Sequence, residues 1–150
     1  MNANNIDHIK KIAIVGGGLM GHGVAQFFAQ GGYPVAMYSR TKESSERAMK
    51  GVEQGLALFV EEGISTQAAA DAALARIRPV TDLAEAVGDA DYITEAVVDD
   101  LALKQKIFKQ MDALAPAHAI LTSETSGLRM TDISRDTTRP ERCITTHNYT

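Results

Sequence analysis

The chain has 150 residues, 45% of them apolar and 23% charged, with a formal net charge of −4. That size suits one domain around a single core, and the composition lacks the basic excess of a nucleic-acid binder. The start, MNANNIDHIKK, has no apolar run behind a basic one, and no window of about 18 apolar residues follows. Neither a leader nor a membrane span is therefore expected, and the cytoplasm is the default location.

In chain order, KIAIV (Lys11 to Val15) reads as a short, buried, β-branched strand closed by glycine. Met20, Val24, Phe27 and Phe28 then recur at helical spacing until Gly31 and Gly32 stop the helix. PVAMYS (Pro34 to Ser39) is a second strand, a long helix follows from about Thr41 to Glu62, and an alanine-rich helix runs from about Ser65 to Arg76. RIRPVTDL passes from a short strand into a capping pattern, Asp82 with Glu85. DYITEAVV is a strand, and Leu103, Ile107, Met111 and Leu114 form the apolar stripe of the next helix before Pro116. AILTSE and RCITTH are two further strands separated by a helix near Thr131 to Arg135. Alternation of strand and helix predicts an α/β fold of Rossmann type: a doubly wound, mainly parallel sheet with helices on both faces. Cys143 is the only cysteine, so no internal disulfide or cysteine metal cluster can form; it is expected to pack as a small apolar group, and no other residues have metal-ligand spacing.

Gly16, Gly18 and Gly21 stand at G-x-G-x-x-G spacing between the first strand and the first helix. In that setting the first glycine permits a tight turn, the second lets backbone approach a pyrophosphate, and the third lets helix and strand pack closely. The following helix start, through Leu19 and Met20, offers unpaired N–H groups to the anion. The same glycines standing alone would be read as a flexible loop. The second strand ends in Ser39 and Arg40, where a carboxylate for the ribose hydroxyls is the usual choice. Serine removes the repulsion of a 2′-phosphate and a guanidinium can pair with it, so NADP is favoured over NAD. The alternative is a solvated or adenine-stacking Arg40 in an NAD site.

Joined in order, VGGGLMGHGVAQ, DADYITEAVVDDLALKQKIF and TSETSGL with RPERCITTH closely resemble the N-terminal domain of the L-3-hydroxyacyl-CoA dehydrogenase family, from about Lys11 to the last residue. The resemblance implies hydride transfer between nicotinamide and a 3-hydroxy substrate, with His147 as the base. An imidazole suits the loss of the hydroxyl proton near neutral pH. It further implies that Ser126 contacts substrate oxygen and cofactor, donating to the developing oxyanion, and that Asp99 and Lys104 touch the cofactor. Without the resemblance, Ser126 is a turn residue, His147 a polar strand end, and the Asp99–Asp100 pair a helix cap with a solvated Lys104 one turn on.

The departures carry information too. The family's Asn-Thr-Ser-Ser is Glu124, Thr125, Ser126, Gly127 here, and the His-Phe-Phe-Asn-Pro run becomes the more polar His147, Asn148, Tyr149, Thr150. Family positions that contact coenzyme A, a serine and a lysine, fall on Gly55 and Glu62. A branch acting on small hydroxy acids without coenzyme A, as the carnitine and gulonate dehydrogenases do, is therefore expected, with an ordinary acyl-CoA dehydrogenase and a non-catalytic redox-sensing module as alternatives. The family's glutamate that orients the histidine, and a helical dimerisation domain that makes a homodimer, lie beyond Thr150. Residues 1–150 are thus expected to be a dinucleotide-binding domain, inactive alone, with exposed apolar surface where the second domain docks. His22 is expected at a helix-start surface, and His8 and His118 in surface or packing roles.

Overall fold

The computed structural model describes residues 6–148; Tyr149 and Thr150 lie outside the described residues. Strands β1 (Ile12–Val15), β2 (Val35–Tyr38), β3 (Ile77–Val80), β4 (Tyr92–Glu95), β5 (Ile120–Ser123) and β6 (Cys143–Thr145) alternate with helices. The helices are α1 (Leu19–Gln30), α2 (Lys42–Glu61), α3 (Gln67–Leu74), α4 (Leu83–Val87), α5 (Leu101–Leu114) and α6 (Met130–Ile133), and a 3-10 turn covers Pro140–Arg142. All six strands are parallel, in the order β3-β2-β1-β4-β5-β6. Connections therefore run outward in both directions from β1, and the order reverses between β1 and β4, where such sheets open a crevice at their carboxyl ends.

Side-chain alternation along β1 splits the core in two. Ile12 and Ile14 face α1, α2 and α3 together with Val35 and Met37, while Ala13 and Val15 face α4 to α6 with Ile93, Phe108 and Leu121. Burial on both faces explains why β1 is an uninterrupted apolar run. At one edge, Val35 donates to the Arg76 carbonyl and Ser39 to the Val80 carbonyl. Even-numbered residues of β3 thus bond to β2, and Pro79, paired with Met37 in register, turns its missing N–H outward.

The helix faces differ from the spacing-based expectation. In α1 the buried residues are Gly21, Val24, Ala25, Gln26 and Ala29, while Phe27 is 70% exposed. Small side chains let the helix lie close to the sheet and leave no room for the larger ring. In α5 the buried set is Lys104, Phe108, Met111 and Asp112, and Leu114 faces solvent. Two charged groups are drawn in because each is paired. Asp112 accepts from the Thr138 N–H (2.7 Å), the Thr138 hydroxyl (2.6 Å) and the Arg142 guanidinium (2.8 Å), tying α5 to the segment before β6. Burial works against its ionisation, but those donors outweigh it and hold the carboxyl down at about 2.

Two further expectations are corrected. Asp82 caps α4 through the Ala84 and Glu85 N–H groups, but Glu85 pairs with Arg78 instead of returning to the cap. His22 is half-buried, its ring against Gly51 of α2, where an added Cβ would come within 2.8 Å of it. Gly55 lies against Gln26 in the same helix contact, a Cβ there falling 2.2 Å from the amide oxygen, so its lack of a side chain serves α1–α2 packing. His118 lies on the surface, as expected, and holds Asp91 at 2.8 Å at the end of the sheet opposite the crevice.

Candidate active site

The glycine loop runs from the carboxyl end of β1 into α1. Gly16 has φ +117°, and a Cβ there would lie 2.7 Å from the Ala96 carbonyl oxygen, so both conformation and space require glycine. A Cβ on Gly21 would fall 1.7 Å from the Gly16 oxygen, which makes it the residue that lets the helix close on the loop. A Cβ added at Gly18 would meet nothing within 4 Å. The α1 N-terminus at Gly18 has no side-chain cap and no acidic residue in its first turn, whereas Thr41, Thr66 and Asp100 cap α2, α3 and α5. Its first N–H groups, including those of Leu19 and Met20, thus face open space with a partial positive charge, the arrangement an anion needs. The residues present therefore fit a dinucleotide pyrophosphate.

Ser39 follows β2 directly. It is 4% exposed, packed beneath Gly17, and its hydroxyl is the one buried side-chain polar atom without a partner among the described residues. Arg40 beside it is exposed. No carboxylate stands at this end of β2.

On the other side of the switch point, Glu95 ends β4 fully buried. One carboxylate oxygen accepts from the Val97 N–H (2.6 Å) and Lys104 Nζ (2.7 Å), the other from Lys104 Nζ (2.9 Å) and the Ser123 hydroxyl (2.6 Å). Lys104, expected as either a cofactor contact or a solvated lysine, is 1% exposed; its ammonium also reaches the Val97 carbonyl at 3.2 Å and Asp99 at 3.3 Å. It lies under the site as a strut. Asp100, not Asp99, caps α5, which leaves Asp99 for the crevice. Burial disfavours the Asp99 carboxylate, but hydrogen bonds from the Thr125 hydroxyl, Lys104 and the Ser126 N–H win and hold it below the ordinary range. These bonds lock the loop after β4 to the loop after β5.

The loops enclose an open cleft of about 350 Å³ lined by Met20, Asp99, Glu124, Ser126, His147 and Asn148. Four segments far apart in sequence thus converge: the α1 start, the loop after β4, the loop after β5 and the run after β6. Ser126 supplies a hydroxyl, His147 an imidazole and Asp99 a carboxylate, while the adjoining glycine loop supplies an anion cradle. A nucleotide held along that loop would direct its far end into the cleft.

Compared with known proteins, residues 11–150 match the family model described as the NAD binding domain of 3-hydroxyacyl-CoA dehydrogenase. The chain belongs to the 3-hydroxyacyl-CoA dehydrogenase family. This NAD-binding domain of the family is 37% identical over 139 residues to a probable 3-hydroxybutyryl-CoA dehydrogenase of Bacillus subtilis, covering 93% of this chain and 48% of that protein. It is 33% identical over 149 residues to an L-carnitine dehydrogenase of Bacillus cereus, covering 99% of this chain and 44% of the relative. The crystal structure of FadB2 from M. tuberculosis superposes with a TM-score of 0.91 at 29% identity, covering 94% of this chain and 50% of that one. The chain spans about half the length of the curated 3-hydroxyacyl-CoA dehydrogenases it matches.

Sequence reasoning missed two residues of this site, Glu95 as the partner of Lys104 and Glu124 as a structural acceptor. A carboxylate inside the apolar run DYITEAVV was the available signal for the first, since a buried charge must be paired. The second was marked as a departure, a carboxylate where the family has an amide, but not as an acceptor, because its partners come from the run after β6.

Proposed function

We propose that this domain is the cofactor half of an NADP(H)-preferring dehydrogenase that interconverts an L-3-hydroxy acid and the 3-keto acid. The observation that carries the reading is the convergence of Met20, Asp99, Ser126 and His147 on one cleft beside the uncapped start of α1. Gly16, Gly18 and Gly21 with the N–H groups of Leu19 and Met20 hold the pyrophosphate, and Asp99 bounds the nicotinamide end. When bound, the nicotinamide ring supplies the hydride acceptor. His147 takes the proton of the 3-hydroxyl as the carbon gives up hydride, and the Ser126 hydroxyl donates to the oxygen as charge develops on it. Lys104 and Glu95 keep the two loops in place beneath.

The NADP preference is supported by the absence of a carboxylate after β2 and by the exposed Arg40 at that position. An acid without coenzyme A is supported by Gly55, closed off by Gln26, and by the exposed anionic Glu62, which would repel the coenzyme's phosphates. A homodimer formed through further chain belongs to the same reading. The test is a parallel fluorescence titration of NADH and NADPH into the domain. Tighter NADPH binding, lost on Arg40→Ala, is expected; tighter NADH binding overturns the preference. In the enzyme containing this domain, His147→Gln is expected to lower oxidation of 3-hydroxy acids by several orders of magnitude to a small residual rate, and unchanged turnover refutes the assignment of the base. Oxidation of NADPH by acetoacetyl-CoA at a rate matching free acetoacetate would return the substrate to the acyl-CoA class.

A further inference from the structure

We propose that Glu124 is a positioning residue for His147, fixing the backbone on either side of it, an inference that rests on reading His147 as the base. The parallel ladder between β5 and β6 ends at the pair Ser123 and Thr145, with one more bond from the Thr146 N–H to the Ser123 carbonyl at 3.0 Å. His147 therefore stands past the last residue pair of the β5–β6 ladder.

Glu124 takes over there. One carboxylate oxygen accepts from the Thr146 hydroxyl (3.2 Å) and the Asn148 side-chain amide (2.8 Å), and the other accepts from the Asn148 backbone N–H (2.8 Å). The three donors sit on the residues immediately before and after His147, so the carboxylate brackets the base on both sides. Glu124 is itself anchored, its own N–H donating to the Glu95 carbonyl at 2.9 Å, one step from the buried Lys104 pair. All four groups, Glu124, Ser126, His147 and Asn148, line the same cleft.

Chemistry favours a carboxylate here over the family's amide. All three partners are donors, and a carboxylate is acceptor-only with room for each of them. A glutamine would offer one oxygen and turn its NH2 toward a donor, leaving bonds unmade on one side of the histidine. Charge-assisted bonds are also stronger than neutral ones, which suits a short polar run beyond the end of a strand.

The test is a double-mutant cycle in the enzyme containing this domain, with kcat, substrate KM and cofactor Kd measured for Glu124→Gln, His147→Gln and the pair. Glu124→Gln is expected to lower kcat on the order of 100-fold, as a displaced base does, with KM and cofactor Kd within about twofold. The pair should turn over no more slowly than His147→Gln alone, because Glu124 acts only through the histidine. Asn148→Ala, which removes one donor of three, gives a smaller loss of the same kind and covers the case in which Glu124→Gln fails to bind cofactor. Full kcat in Glu124→Gln, or losses that multiply in the pair, would overturn the positioning role while leaving the base intact. A His147→Gln enzyme with native turnover would overturn the base and the positioning role together.

Discussion

Lys104→Met separates a buried ion pair whose two side chains are 1% and 0% exposed. Deleting the ammonium leaves the Glu95 carboxylate with the Val97 N–H and the Ser123 hydroxyl but no counter-charge, and removes the strut from Asp99. Breaking such a pair from one side costs about 3–5 kcal/mol. At about 2–4 °C per kcal/mol for a domain of this size, the melting temperature falls by roughly 6–20 °C. Removing both charges, Lys104→Met with Glu95→Leu, should recover most of that loss, since no lone charge stays buried. About 1–3 kcal/mol remains lost for the Ser123 and Val97 donors, which no longer have an acceptor. Urea unfolding at neutral pH, followed by far-ultraviolet circular dichroism, gives both numbers provided the slope with denaturant stays constant. A single variant destabilised by under about 1 kcal/mol, or a double variant as unstable as the sum of its singles, would refute the claim that the pair acts as one buried unit.

Gly18→Ala and Gly21→Ala should separate binding from folding. The open space at Gly18 lets the first variant fold with an unchanged melting temperature, while NADPH affinity in the fluorescence titration drops more than about tenfold. The 1.7 Å approach at Gly21 forces the second to move backbone, lowering stability by roughly 1–3 kcal/mol as well as affinity. Asp112→Asn should cost about 2 kcal/mol at neutral pH, the equivalent of holding the native carboxyl at about 2 instead of 3.8. Because the native value is depressed, that stability is present above pH 3.8 and is lost as pH falls through about 2, so the urea midpoints of variant and native chain should converge in acid.

The alternation of strand and helix was enough to read the doubly wound sheet, because parallel strands buried on both faces must be apolar runs separated by crossovers. The phosphate loop was equally legible, since its three glycines fall within a single strand-turn-helix unit, although the contact that requires Gly16 comes from Ala96 after β4. Helix faces were not: in α5 the spacing of Leu103, Ile107, Met111 and Leu114 pointed to one stripe, but pairing of Lys104 and Asp112 with distant partners rotated the buried face. Glu124 and its donors are separated by 22 to 24 positions and meet only because β5 and β6 lie side by side. The α1–α2 contact through Gly51 and Gly55 likewise depends on how closely two helices approach, which local propensity does not encode.

The two margins of the sheet among the described residues are unequal. Pro79 withholds a donor from anything approaching β3, while β6 presents an unpaired backbone row and the 53% exposed side chain of Ile144. Edge-to-edge growth into a filament requires two compatible margins, each copy accepting on one side and donating on the other. Among the described residues the β3 margin lacks one of the donors that such a head-to-tail contact would need. One imino acid thus makes head-to-tail stacking of these sheets less favourable than pairing of unblocked edges would be.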